Sequence, residues 1–337
     1  MGCAPILIST LNRDIHFIRL IESLKRNTWA KYTPVYVALD YPPSEKYAEG
    51  HKKICEYLEG DFGEFLEFIV VRRDHNYGSY NNMAVLREMV LKKYDRFIRT
   101  DDDAEFSPNF LEYMNKCLDK YEEDDSVVAV TGYSYPIIWD VSSNSNVLKI
   151  NFNASMWGTG FWKKKYEKMK EQIEAGELLN SKFFHYPAFQ RMIDVAKYEY
   201  ANLCLTKDIH NHYIMSVTDI SCRVFLALQN KYVVIPRISK VRNWGFDGSG
   251  MECGKIDLHD GKISASNYKY SSQPIDYTSC FDIIEDRKCN MSYNKKQLNR
   301  FDFLPFKSKI RLWMKIMIYS IFGERAYIKL FRKHYDK

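Results

Sequence analysis

The first 135 residues alternate short apolar runs with amphipathic stretches, and few folds accept that alternation. Strand-like runs occupy PILISTL (5–11), PVYVALD (34–40), FLEFIVVRR (65–73), DRFIRT (95–100) and SVVAVTGY (126–133). Helix-like stretches lie between them near 14–28, 43–59, 79–93 and 107–122, the second of these containing Gly50, a weak helix former. Strands alternating with helices argue for an α/β protein with a Rossmann-like, doubly wound sheet. In such sheets ligands bind beyond the carboxyl ends of the strands.

Three of those strand ends carry polar groups. Asn12-Arg13 ends the first run, Asp40 ends the second, and TDDDAEF follows the fourth with Asp101, Asp102 and Asp103 in succession and Glu105 after them. Neighbouring carboxylates raise one another's pKa unless a cation or hydrogen-bond donor compensates, so the cluster asks for a partner. The plainer readings are a solvated acidic turn or helix capping. Ser107-Pro108, however, already reads as the cap and first residue of the next helix. A divalent cation, Mg²⁺ or Mn²⁺, resolves the repulsion, since it takes oxygen ligands from one or two carboxylates plus substrate phosphates. The expected ligand is a nucleotide or sugar phosphate. Neither GxGxxG nor GxxxxGK[ST] is present, which disfavours a dinucleotide dehydrogenase and a P-loop enzyme.

Beyond residue 135 the pattern is less regular. SSNSN (142–146) reads as a surface loop, and MWGTGFWKKKYEKMKEQIEAGE (156–177) as a glycine-punctuated turn leading into a charged helix. HNHYIMSVTDISCRVFLALQNKYVVIPR (210–237) reads as a loop, a helix from about Asp219 and a strand ending in Pro236. NWGFDGSGMECG (243–254) is a glycine-rich loop, and 255–300 shows no periodicity. The chain divides into residues 1–135, 136–254 and a C-terminal extension, 255–337. With 46% hydrophobic and 15% aromatic residues it can build a large core, and the eight cysteines, which form no CxxC pair, read as reduced thiols. The opening APILISTL has no charged n-region or long apolar core, so no secretory signal and a cytoplasmic location are expected. The net charge of +6 is modest, and no nucleic-acid partner is expected.

Much of that positive charge lies in the tail, 303–337, where Lys307, Lys309, Arg311, Lys315, Arg325, Lys329, Arg332 and Lys333 mix with apolar residues at near-helical spacing. Such a helix either lies on an anionic membrane surface, here the inner face of the cytoplasmic membrane, or docks on the rest of the protein with a solvated basic face.

Four stretches together resemble the GT-A glycosyltransferases, most closely bacterial polysaccharide glycosyltransferases and the N-acetylglucosaminyltransferase I type. They are TDDDAEFSPNFLEY (100–113), PILISTLNR (5–13) with PVYVALD (34–40), MWGTGFWKKKYEK (156–168), and SVTDISCRVFLALQNKYVVIP with the RNWGFDGSG that follows. The likeness covers roughly residues 4–254. It departs at Met251-Glu252-Cys253, where members of the family often carry a Thr-His pair; His259 lies nearby as a substitute or as a surface histidine.

The resemblance implies a GT-A fold and an Mn²⁺- or Mg²⁺-dependent, inverting transfer of a hexosyl or N-acetylhexosaminyl group. The donor would be a nucleotide-diphosphate sugar, in the first place a UDP-sugar, and the acceptor a glycan or lipid-linked saccharide in surface polysaccharide synthesis. It implies Asp103 as the direct metal ligand, Asp101 on the ribose or base side with Asp102 in support, Asp40 at a uracil-type base, and Arg13 facing the diphosphate. Asp219 would be the base, although it could equally cap a helix. Gly248, with Gly245 and Gly250, belongs to a loop able to order over the nucleotide sugar or to a simple turn. Trp157 and Gly158 would meet the acceptor, with Trp162 as core; His210 and His212 read as surface residues. Two alternatives remain: a nucleotidyltransferase acting on sugar phosphates, although STLNRD lacks its glycine-rich loop, and a non-catalytic carbohydrate-binding protein.

Overall fold

In a computed structural model of the protein, the described residues are 2–142, 144–174, 217–250, 274–286, 290–301 and a set of positions between 307 and 330. The strands are β1 (Ile6–Thr10), β2 (Pro34–Leu39), β3 (Glu67–Arg72), β4 (Arg96–Asp101), β5 (Ala104–Phe106), β6 (Val127–Thr131), β7 (Val147–Ile150), β8 (Thr159–Trp162), β9 (Tyr232–Pro236) and β10 (Val241–Asn243). The helices are α1 (Asp14–Lys25), α2 (Ala48–Tyr57), α3 (Ser79–Val90), α4 (Phe110–Lys120), α5 (Lys163–Glu174), α6 (Asp219–Gln229) and α7 (Met291–Phe301).

Eight strands form one sheet in the order β3-β2-β1-β4-β8-β6-β9-β7. The pairs β2–β3, β1–β2, β1–β4 and β6–β9 are parallel, whereas β8 runs antiparallel between β4 and β6, and β7 antiparallel on β9. This is the doubly wound sheet expected, made mixed by the antiparallel β8 and β7. Every residue of β2 and all but one of β1 are buried, as required of strands covered on both faces. Because β6 lies between β8 and β9, the segments before and after residue 135 interleave in one sheet and share one core.

Several elements differ from expectation for local reasons. The supposed turn in MWGTGFW contains β8, and its glycines mark tight packing: a Cβ on Gly160 would lie 2.8 Å from Met114 Cε. A short second sheet pairs β5 with β10. The Ser107 amide extends that ladder by donating to the Lys240 carbonyl at 2.9 Å, so α4 begins at Phe110 and Ser107 does not cap it. The 255–300 segment, read as irregular, contains α7. Residues 274–286 run as a strap over α4, held by Asn109 donating to Thr278 at 2.8 Å and Lys116 to the Phe281 carbonyl at 2.6 Å. His210, His212, Met251-Glu252-Cys253, His259 and the end of the charged helix beyond Glu174 lie outside the described residues.

Gly50, unfavourable inside α2, has a tertiary reason. A Cβ there would sit 1.9 Å from the backbone oxygen of Asn12, at the mouth of the site described below. Backbone cannot rotate away as a side chain can. Gly50→Ala is expected to lower stability by about 1–3 kcal/mol, despite the gain of about 1 kcal/mol in helix propensity, as read from the urea midpoint at constant slope.

Candidate active site

A line of hydrogen bonds crosses the carboxyl ends of β2, β1 and β4. The Asp40 amide donates to the Thr10 carbonyl at 2.9 Å, and the Thr10 hydroxyl donates to Asp102 Oδ2 at 2.9 Å. Arg13 then bridges the next two acids: its Nη2 donates to Asp102 Oδ1 and its Nη1 to Asp103 Oδ2 at 2.8 Å. Asn243 Nδ2 closes the line on Asp103 Oδ1 at 2.9 Å.

Asp102 and Asp103 are each only 5% exposed, so two buried carboxylates share one guanidinium. Burial pushes the Asp103 pKa up, and the neighbouring Asp101 and Asp102 add to that rise against the opposing pull of Arg13. Burial works against the charge on Arg13, yet the two aspartates outweigh it and hold its pKa above the ordinary value. The pocket therefore has surplus negative charge among oxygen donors. That chemistry fits a hard divalent cation, with Asp103 and Asp102 as the residues that would hold it. Among the described residues no three acidic, His or Cys side chains converge in a ready-made metal cage. The remaining ligands would come from substrate phosphate and water, the usual arrangement for Mg²⁺.

Asp101, the most exposed of the three, turns to the other side of β4. Its Oδ1 accepts from Arg99 Nη2 at 2.8 Å. Asp219 approaches the same place from the first turn of α6. Thr218, not Asp219, caps that helix, forming a reciprocal capping box with Ser221. Asp219 is thus released from the capping role. Its Oδ1 is buried without a hydrogen-bond partner, as is the Nε of Arg99. Burial raises the Asp219 pKa, opposed by Arg223 and Arg99 and assisted by Asp101. Arg223 is held in turn by the Ala154 carbonyl at 2.9 Å and the Tyr135 hydroxyl at 3.0 Å.

On the β2 side, Asp40 Oδ1 accepts from the amides of Tyr41 at 2.9 Å and Tyr77 at 2.8 Å, while Oδ2 has one long contact of 3.3 Å from Asn76. The segment carrying Asn76 and Tyr77 enters α3 through Gly78, whose φ of +74° favours glycine.

The β10 strand leads a loop across the acids. The Trp244 amide donates to the Asp103 carbonyl at 2.8 Å, and Trp244 Nε1 to Glu105 at 2.7 Å, which gives Glu105 a structural partner. Gly245 passes so close that a Cβ would lie 2.1 Å from Asp103 Oδ2. Gly248, at φ +85°, forms the turn between Asp247 and Ser249, where Asp247 Oδ1 accepts from the Ser249 amide at 2.9 Å and hydroxyl at 2.6 Å while Oδ2 hydrogen-bonds His16 Nε2 at 2.8 Å. Beneath this loop, at the start of α1, lies a cavity of about 400 Å³ lined in part by Asn12, Arg13, Arg19, Trp244 and Phe246.

No protein-family model matches the chain, and no curated protein matches it in sequence. Among solved structures, S. aureus TarS is 12% identical over 69% of this chain and 35% of that one, with a TM-score of 0.33. A structure of S. aureus TarS 1-349 is 11% identical over 69% of this chain and 57% of that one, with a TM-score of 0.38. The mannosyltransferase PcManGT from Pyrobaculum calidifontis, in complex with GDP-Man and Mn²⁺, is 12% identical over 68% of this chain and 71% of that one, with a TM-score of 0.35. The chain thus spans about a third of the longer TarS structure and just over half of the shorter.

On the far side of the loop, Trp157 is half-buried and packs edge-on against Tyr133 and Phe246, with ring centroids 4.7 Å and 5.7 Å away. Gly158, expected at an acceptor surface, is instead buried: its φ is +59°, and a Cβ would lie 2.9 Å from Phe106, Phe110 and Val241. Trp162 is core, with its Nε1 donating to the Leu118 carbonyl at 3.0 Å.

Sequence reasoning missed Thr10, Arg99, Asn243 and the Asn76-Tyr77 pair. For the last, the signal was available in HNYG between a strand and a helix, a polar turn at the same edge as Asp40. Arg99 lies two residues before Asp101 on one face of β4, a period-two signal that the sequence carries; Asn243 gave none, because it reaches Asp103 only through tertiary contact.

Proposed function

We propose that the protein is a metal-dependent, inverting glycosyltransferase that moves a sugar from a UDP-sugar to a saccharide or lipid-linked acceptor. The observation carrying this reading is the buried, net-negative pair Asp102–Asp103, hydrogen-bonded through Thr10 to Asp40 on one side, with the unpartnered oxygen of Asp219 in the field of Asp101 on the other. Asp40 supports uracil over guanine. Its Oδ1 is already occupied by two amides, which leaves Oδ2 to accept one N–H. Uracil presents one such donor, N3–H, whereas guanine offers two side by side and is best met by a carboxylate with both oxygens open.

Asp219 would take the proton of the acceptor hydroxyl as that oxygen bonds to the anomeric carbon and the bond to the diphosphate breaks, with inversion. Arg99 holds Asp101 through its hydrogen bond, and Arg13 would meet the departing diphosphate. A bound Mn²⁺ or Mg²⁺ would supply Lewis-acid stabilisation of that leaving group.

Thermal unfolding with nucleotide and metal tests the reading. UDP with Mn²⁺ is expected to raise the midpoint clearly, UDP alone or GDP with Mn²⁺ much less, and Asp103→Ala to lose the metal-dependent part. Because the metal needs ionised carboxylates, the metal-dependent shift should grow as pH rises through the elevated pKa of Asp103. Absence of any nucleotide response with either metal sinks the proposal. Slow hydrolysis across a panel of UDP-sugars would then separate a transferase from a binding protein.

A further inference from the structure

The last part of the chain has an apolar face that nothing in the described structure covers. The described positions from 307 to 322 are all helical. Ile310, Met314, Met317 and Ile321 recur at i, i+4, i+7 and i+11, the spacing of a single helical stripe. All four are exposed, Ile321 at 62%, and Phe322 beside them is 67% exposed. Elsewhere an exposed apolar pair such as Val85 and Met89 on α3 occurs, whereas these four form a longer line.

Charge identifies the partner. Lys307 and Arg311 are exposed and lie one step around the helix from Ile310 and Met314, and Lys315 continues their four-residue spacing in the sequence. Residues 303–337 contain nine Lys and Arg against Glu324 and Asp336, which leaves the rest of the chain close to neutral out of a total of +6. An apolar stripe bordered by a basic ridge matches the interface of an anionic bilayer: the stripe enters the acyl boundary while the cations meet lipid phosphates. Among the described residues no helix is long and apolar enough to cross a membrane; the basic ridge beside the stripe favours contact along the surface. We propose that this helix docks the protein on an anionic lipid surface through Ile310, Met314, Met317 and Ile321, with Lys307 and Arg311 at the headgroups. The proposal goes beyond the catalytic reading and does not depend on it.

Vesicle sedimentation of the full chain tests it, using phosphatidylcholine alone and phosphatidylcholine with phosphatidylglycerol at about 0.1 M salt. The protein is expected to pellet with the anionic vesicles and stay in solution with the neutral ones. Lys307→Glu/Arg311→Glu and Met314→Ser/Ile321→Ser should each weaken that partition by at least about tenfold, with unchanged circular dichroism and unfolding midpoint. No pelleting with anionic vesicles, equal pelleting with neutral ones, or binding untouched by both double substitutions would overturn it. So would a dimer in sedimentation velocity that Met314→Ser/Ile321→Ser abolishes in a protein that ignores vesicles. Nucleotide response is measured separately, so failure of the donor reading leaves this result interpretable.

Discussion

Asp219→Asn is expected to lower turnover by about 10²- to 10⁴-fold while UDP binding with Mn²⁺ is retained, the range ascribed to a positioned general base. The substitution keeps shape and removes only the ability to take a proton. Thr218 and Ser221 still cap α6, so the helix should persist. The pH profile follows from the raised pKa: Asp219 acts only when ionised, so activity should rise with pH along a limb above the ordinary carboxylate range. The stability sign is the reverse. A folded-state pKa above the unfolded value means that ionisation weakens the fold, so stability from this group is present at acid pH and declines as pH rises through the folded pKa. The asparagine variant should therefore be at least as stable as the parent at pH 7, with the difference gone at acid pH. Unchanged turnover with a panel of acceptors would remove Asp219 from the chemistry.

Arg13→Ala should cost about 3–5 kcal/mol at neutral pH, the penalty of leaving buried carboxylates without their partner. Arg13 is the guanidinium that Asp102 and Asp103 share, and both acids are buried just past the carboxyl end of β4. Without it the Asp103 pKa rises further. The loss should shrink on acidification, because a protonated Asp103 no longer needs a counter-charge. Millimolar Mn²⁺ should recover more stability in this variant than in the parent, by replacing the missing cation. Chemical denaturation at pH 5 and 8, with and without Mn²⁺, measures all three effects. A small, pH-independent loss would show that the arginine serves packing alone.

Parts of this architecture follow from local pattern. Strands β1, β2, β4, β6 and β9 are largely buried runs of β-formers bounded by turn residues, and β3 is a half-exposed one; each lies within its expected stretch except β4, which ends one residue later, at Asp101. β5, β8 and β10 were not legible. Each is only three or four residues long, too short for a period to show, and β8 carries a glycine that reads as a turn when taken alone. Ser107-Pro108 is a strong helix-start signal, yet pairing of β5 with β10 overrides it by holding Ser107 on Lys240. Gly50 is a helix-weakening residue in sequence and a packing requirement in space.

The amino-acid sequence by itself determined the fold class and the edge at which the site lies, because strand and helix periods are local and a doubly wound sheet directs its strand ends to one side. It also singled out Arg13, Asp40, Asp101, Asp102 and Asp103, since charged residues at strand ends are visible in the order of residues, and Asp219 through the resemblance to a known family. Only the tertiary structure decided how those acids are divided. Asp102 and Asp103 face Arg13 across β1, whereas Asp101 turns to Arg99 and Asp219 across β4. Asp101 ends β4 and shares a face with Arg99 two residues before it, whereas Asp102 and Asp103 lie in the turn just beyond the strand, where Arg13 and Asn243, from segments distant in sequence, meet them.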